Sequence, residues 1–84
     1  MTTQRFPLQG EFIELNVLLK LLALAPSGGA AKALIAGGDV SVDGTVETRI
    51  RRKLRAGNVV SVAGTNILIA AAEGVAHHLD VLVS

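Results

Sequence analysis

The chain has no cysteine, no tryptophan and no tyrosine, and only two phenylalanines and two prolines. Without cysteine there is no disulfide, no thiolate nucleophile and no cysteine-based zinc site. Such a chain suits a reducing compartment. With Phe6 and Phe12 as the only aromatics, reading of single strands by base stacking, as in RRM or OB folds, is poorly served. Long apolar runs are missing too. The greasiest stretch, residues 17–25, is interrupted by Lys20 and falls far short of the roughly 20 residues a membrane span needs. Residues 1–10 lack the apolar core of a signal peptide. The expectation is a cytoplasmic protein with no membrane segment.

Catalytic constellations are equally scarce. Ser27, Ser41 and Ser61 have no convincing histidine and acid partners. Glu11 and Glu14 fall at an expected helix start, where carboxylates favour the dipole. No nucleophile elbow or nucleotide fingerprint occurs. His77 and His78 are adjacent, with Asp80 near, but neighbouring side chains diverge on a helix and point to opposite faces of a strand. They make a poor metal pair. The sequence therefore predicts no enzyme, no metal and no cofactor.

What is present is a compact set of aliphatic elements and one concentrated charge. Eighty-four residues allow a single domain with one core, and a 50% hydrophobic share is that of a globular chain. The formal net charge is only +1, yet five of the eight basic residues, Arg49, Arg51, Arg52, Lys53 and Arg55, fall in one short segment with no acid among them. Such a run is a local electrostatic footprint. Arginine offers a rigid fork of donors suited to phosphate oxygens. Ile50 and Leu54 are the apolar anchors that would hold the segment on the core. Glu47 is placed to pair with Arg49 or Arg51 and to offset part of the charge. The alternative is a solvated charged loop.

Periodicity supplies the frame. Leu15, Leu18, Leu19 and Leu22 recur at helical spacing, predicting a largely buried helix over 12–25 that Pro26 ends. Val17, Leu21 and Leu24 widen its apolar surface, and Asn16 and Lys20 form a narrow polar stripe. Ser27 reads as the N-cap of a second helix over 28–36, packed through Ala31, Leu34 and Ile35 with Lys32 pointing away. Ser27, Gly28 and Gly29 at its start would present free N–H groups to an anion, with Lys32 one turn in; a plain helix cap is the other reading. Past Gly38 the period becomes two. Asp43-Gly44 between Val40-Val42 and Val46 predicts a type I′ hairpin. Residues 56–58 read as a turn, 59–62 as a strand, 63–66 as a turn and 67–71 as a strand. Residues 75–83 fit a strand, a helix or an edge extension. Helices followed by strands give an α+β domain. The expected division is a loose leader over 1–10, pinned by Phe6 and Leu8, a domain over 11–72 and a C-terminal extension over 73–84.

Several stretches, in this order, resemble the S4 RNA-binding domain, in particular the small bacterial one-domain S4-like proteins described as ribosome-associated. They are Glu11-Phe12-Ile13-x-Leu15-x-x-Leu18-Leu19-Lys20, Ser27-Gly28-Gly29-x-Ala31-Lys32, Val40-x-Val42-Asp43-Gly44 and Glu47-x-Arg49-x-x-Arg52-Lys53-Leu54-x-x-Gly57. The resemblance covers about residues 11–69. It implies an S4-like (alpha-L) fold, two N-terminal helices packed on a small antiparallel sheet. It also implies a non-catalytic role in binding structured RNA, ribosomal or transfer RNA, through phosphate contacts, with the ribosome as a partner; the protein is expected to be a monomer. Carried over by position, the site residues are Lys20, Lys32, Arg49, Arg52 and Lys53, with the Ser27-Gly28-Gly29 helix start beside them. Arg51 and Arg55 join them on charge alone. Glu14 and Gly28 stand where S4 domains commonly carry basic residues, which implies weaker or differently centred binding. A protein-interaction module, using the basic run and an edge in residues 75–83, is the competing expectation. A metal protein built on His77 and His78 is a third.

Overall fold

A computed structural model describes residues 2–71 of the chain. Strand β1 (Thr2–Pro7) and the short β2 (Ile13–Glu14) precede helix α1 (Leu15–Leu21) and helix α2 (Gly28–Ala36). Then come β3 (Val40–Val42), β4 (Thr45–Val46), β5 (Lys53–Leu54), β6 (Val59–Val62) and β7 (Thr65–Ala70). The fold is α+β, as its periodicities predict, but the helices are not the first elements. Nor is the sheet purely antiparallel. Five strands line up in the order β1-β7-β6-β3-β4, and β1 runs parallel to β7 in a register that sets Thr2 beside Thr65 and Pro7 beside Ala70. The stretch expected as a loose leader is thus an edge strand. Proline is tolerated there because an edge strand leaves one row of N–H groups unused. Leu8, beyond the strand, is buried as expected. A separate two-stranded ribbon pairs β2 with β5, Ile13 against Leu54 and Glu14 against Lys53.

The first helix is shorter than its leucine spacing suggests. Residues before Leu15 go to the ribbon instead. The N–H groups of Leu15 and Asn16 donate to the carbonyls of Arg52 (2.9 Å) and Ile50 (3.1 Å). These carbonyls satisfy donors that every helix start leaves unpaired. Glu14 stands at the N-cap but makes no side-chain cap bond, and no acid lies in the first turn. The helix ends at Leu21, before Pro26 is reached. Ala23 turns left-handed (φ 58°), and Leu24 and Ala25 both donate to the Leu19 carbonyl. Leu15, Leu18 and Leu19 are wholly buried, whereas Val17 and Leu21 face solvent rather than widening the buried surface.

The second helix and the hairpin follow the sequence closely. Ser27 Oγ accepts from Ala30 N–H at 3.1 Å, and Ala31 and Ile35 bury completely. Asp43 and Gly44 both take positive φ (52° and 83°), the two-residue turn that matches strand twist. A second turn of this kind, Ala63-Gly64 (φ 52° and 76°), makes the β6–β7 connection tighter than expected. The core lies between the helices and the inner sheet face: Leu15, Leu18, Leu19, Ile35, Val40, Leu54, Val60, Ile67 and Ile69 are fully buried. Each such side chain stabilises the fold by about 1.5–3 kcal/mol through removal of apolar surface from water. Among the described residues no helix is long and apolar enough to cross a membrane. The expectations for residues 73–84, including His77, His78 and Asp80, lie outside the described residues.

Candidate nucleic-acid interface

The basic run is fixed from below. Leu54 is fully buried and Ile50 is partly buried against the core, so the two apolar anchors act as their positions predict. From one side the carbonyls of Ile50 and Arg52 are held by the start of α1. From the other, Arg55 and Asn58 close a turn, with Asn58 N–H donating to the Arg55 carbonyl at 3.0 Å and Arg55 N–H donating to Asn58 Oδ1 at 2.7 Å. Gly57 takes φ 100° in that turn, a conformation that glycine adopts without a Cβ penalty. The hairpin reaches across as well: the Asp43 carboxylate accepts from Asn58 Nδ2 (2.7 Å) and Val59 N–H (2.8 Å). A segment rich in long flexible side chains therefore sits on a backbone tied at several points.

Glu47 organises the first half of the run. The residue is almost fully buried at 8% exposure. Its Oε2 accepts from Arg49 N–H (3.3 Å) and Arg49 Nε (3.1 Å), and its Oε1 accepts from Arg49 Nη2 (2.9 Å) and Arg52 Nη1 (2.7 Å). The hydrogen bonds from Arg49 first, and then Arg52, lower its pKa from 4.5 to about 2, against a smaller opposing effect of burial. The same pairing raises the pKa of Arg49. The sequence pointed to Glu47 pairing with Arg49 or Arg51; Arg49 is a partner, and the second partner is Arg52. One carboxylate thus offsets part of the charge on two guanidiniums, and also holds their orientation. The grip is bidentate on Arg49 and a single bond on Arg52, which leaves the remaining N–H donors of each guanidinium for other acceptors. The Arg49 side chain stays 73% exposed and that of Arg52 30%.

Arg49, Arg51, Arg52 and Lys53 together line an open depression of about 410 Å³. Arg51 is exposed and has no ion-pair partner among the described residues. Arg55 stands apart from this depression, on the far side of Lys53. Its Nη1 donates to the Glu11 carbonyl at 3.4 Å. Both Lys53 and Arg55 lie over the ring of Phe12, at 4.9 and 5.8 Å from its centroid. The helical candidates are placed differently. Lys20 and Lys32 are exposed on α1 and α2, and neither lines the depression. Gly28 and Gly29 open α2 at an exposed position where a Cβ on Gly28 would meet nothing. The Ser27 side chain is engaged in the helix cap, as the plain-cap reading expects. Two features of the site escaped the sequence reading: the Glu47–Arg52 pair and the approach of Phe12 to the run. The second follows from the β2–β5 ribbon, whose signal is faint. Ile13 and Leu54 are apolar and alternate with Phe12, Glu14, Lys53 and Arg55, too short a pattern to stand out.

Among the described residues no group of three or more His, Cys, Asp or Glu side chains could hold a metal ion. The site is cationic, shallow and built from fixed donors, which suits an extended polyanion rather than a small enclosed ligand.

Comparison with known proteins agrees with this architecture. YbcJ of Escherichia coli (strain K12), named as a candidate RNA-binding protein, is 51% identical over 59 residues, which cover 70% of this chain and 84% of that protein. A YbcJ of Shigella flexneri, named as uncharacterized, matches with the same identity and coverage. The solution structure of E. coli YbcJ, described as revealing an αL motif involved in RNA binding, superposes with a TM-score of 0.58 at 45% identity. That superposition covers 84% of this chain and 89% of the other. The S4 domain family model matches residues 6–70, from the end of β1 through β7, a span that carries the basic run. This chain belongs to the S4 domain family.

Proposed function

We propose that this protein binds structured RNA, ribosomal or transfer RNA, through contacts to the phosphate backbone, acting as a non-catalytic monomer in the cytoplasm and in association with the ribosome. The carrying observation is the depression lined by Arg49, Arg51, Arg52 and Lys53, on a domain whose E. coli relative is described as having an RNA-binding motif. Phosphate oxygens match guanidinium forks in geometry and charge. An anchored backbone lowers the entropy lost when such long side chains bind. The Glu47 grip on Arg49 and Arg52 favours this reading further, because a fixed donor array selects for shape and spacing of phosphates more than for charge alone. Lys20, Lys32, Arg55 and the exposed start of α2 at Ser27, Gly28 and Gly29 extend the same surface in this proposal.

Counterion release provides the test. Neutralising four phosphates gives a slope of log affinity against log salt of about −3 to −4. The measurement is a titration of a transfer RNA or a folded ribosomal RNA fragment between about 50 and 200 mM salt. The double variant Arg52→Ala with Lys53→Ala is expected to lose roughly thirtyfold in affinity, about 2 kcal/mol, and to flatten the slope by about 2. An unchanged slope in that variant removes these residues from the interface. Absence of binding by the wild-type chain at low salt ends the proposal.

A further inference from the structure

The ring of Phe12 is unusual for its place. It is 38% exposed, although a large apolar side chain gains most from leaving water. It also lies beside two cations. The ribbon explains how this comes about. Ile13 pairs with Leu54 and Glu14 with Lys53 in antiparallel register, so Phe12 falls opposite Arg55. Side chains alternate along strands. Leu54 is buried and Ile13 packs on the core, which leaves Phe12, Lys53 and Arg55 together on the outer face, with Glu14 opposite Lys53. Lys53 Nζ stands 4.9 Å and Arg55 Cζ 5.8 Å from the ring centroid, and the Arg55–Glu11 contact (3.4 Å) ties the arginine across the ribbon beside the ring. Lys53 belongs at once to this cluster and to the depression lined by Arg49, Arg51 and Arg52. A part-exposed aromatic surface is thus continuous with the proposed phosphate-binding surface, with a shared cation at the junction.

We infer that Phe12 is a stacking platform for an unpaired base, and that the preferred ligand is a folded RNA in which an unpaired nucleotide adjoins a backbone-bound helical stretch. The inference rests on the RNA-binding reading above and names the RNA class that the site selects. Stacking on an aromatic face tolerates any base, because every base has a π-face. Lys53 and Arg55 then meet the phosphates on either side of the stacked nucleotide, while Arg49, Arg51 and Arg52 follow the adjoining strand. The cations over the ring are suited to this role: they bring the phosphates of the same nucleotide to it, and a guanidinium plane itself stacks on bases.

The test uses two synthetic RNA hairpins of equal length, one fully paired and one carrying a single unpaired adenosine, with the whole chain as wild type, Phe12→Leu and Phe12→Trp. The wild type is expected to bind the bulged hairpin more tightly, by about 5- to 150-fold, the range that alanine substitution of base-stacking aromatics covers. Phe12→Leu keeps an apolar side chain at a part-exposed position. It is expected to erase this preference, read as the ratio of the variant's affinities for the two hairpins. Phe12→Trp keeps the preference and, in a chain with no other tryptophan, its emission is quenched by the bulged hairpin and not by the paired one. The ratio of the two wild-type affinities stays constant with salt while both fall. Equal wild-type binding of the two hairpins, or a preference that survives in Phe12→Leu, overturns the stacking role and leaves backbone binding standing. If the wild type binds neither hairpin at low salt, the RNA-binding reading fails and this inference with it.

Discussion

At Arg49 and Arg52 the guanidiniums close on a carboxylate that lies almost out of water, whereas Lys53 and Arg55 lie over an aromatic ring and have no ion-pair partner among the described residues. The first pair gives up part of its charge to Glu47 and gains a defined direction. The second pair keeps its charge, and its placement comes from the strand register and the ring. A single basic run therefore holds two kinds of cation, which a count of charges treats as equivalent. The difference separates what sets geometry from what sets electrostatic strength. Long-range attraction depends on net charge, so it weights the Lys53–Arg55 end and Arg51 more heavily. Docking in one orientation depends on fixed donors, and so falls to the Arg49–Arg52 end.

The comparison can be broken hardest at its anchors. Leu54 is fully buried beneath the Lys53–Arg55 end, and Ile50 is only partly buried beneath the other. Leu54→Ala is expected to destabilise the fold by about 2–5 kcal/mol, and Ile50→Ala by less, measured as the difference in denaturation midpoints. Equal losses would mean that the two ends share one anchorage. Glu47 comes next. Its pairing is partly solvent-screened on the arginine side, so Glu47→Gln is expected to cost about 1–2 kcal/mol, below the cost of breaking a fully buried pair. Its pH signature has a definite sign. The folded carboxyl titrates near 2 rather than 4.5, so the unfolded chain binds more protons across that window. The pair's contribution is then complete above 4.5 and fades as acidification passes through 2. Thermal melts of wild type and Glu47→Gln between those limits should converge at the acid end. A gap that does not change with pH would show that Glu47 stabilises by packing instead. The smallest effect is expected at the helix start. Ser27→Ala removes the cap bond to Ala30 and should cost about 1 kcal/mol of stability. If Ser27 is only a cap, the salt slope for RNA stays as it was. A slope that flattens moves part of the phosphate surface to α2.

How much of this is visible in the sequence depends on how local the cause is. Helix α2 is bounded by Ser27 and Gly37, and the Asp43-Gly44 turn is encoded by its own two residues, so both lie where the sequence puts them. The concentration of positive charge is a property of one segment and is equally plain. Helix α1 is less so, because the Arg52 and Ile50 carbonyls that set its start come from far along the chain. Strand β1 is invisible for the same reason: TTQRFP ends in proline and forms by pairing with β7, far along the chain. Phe12 illustrates the cost for the site. Read linearly it is a helix residue remote from the arginines, and only the ribbon register sets it beside Lys53 and Arg55. A turn is expected at residues 63–66; its tighter two-residue form, Ala63-Gly64, is masked by chemistry rather than distance, since alanine seldom takes positive φ.

The parallel pairing of β1 with β7 also constrains how the molecule comes into being. A chain made from its N-terminus presents β1 early, yet the strand cannot be zipped into the sheet until β7 has followed it. During that interval β1 waits without its ladder while the helices and hairpins can close through nearby contacts. The pairing is a clasp between the first and the last of the described strands. A chain cut short before β7 would be left with an unpaired first strand and an open flank on β6, the kind of raw edge through which unfinished sheets adhere to one another.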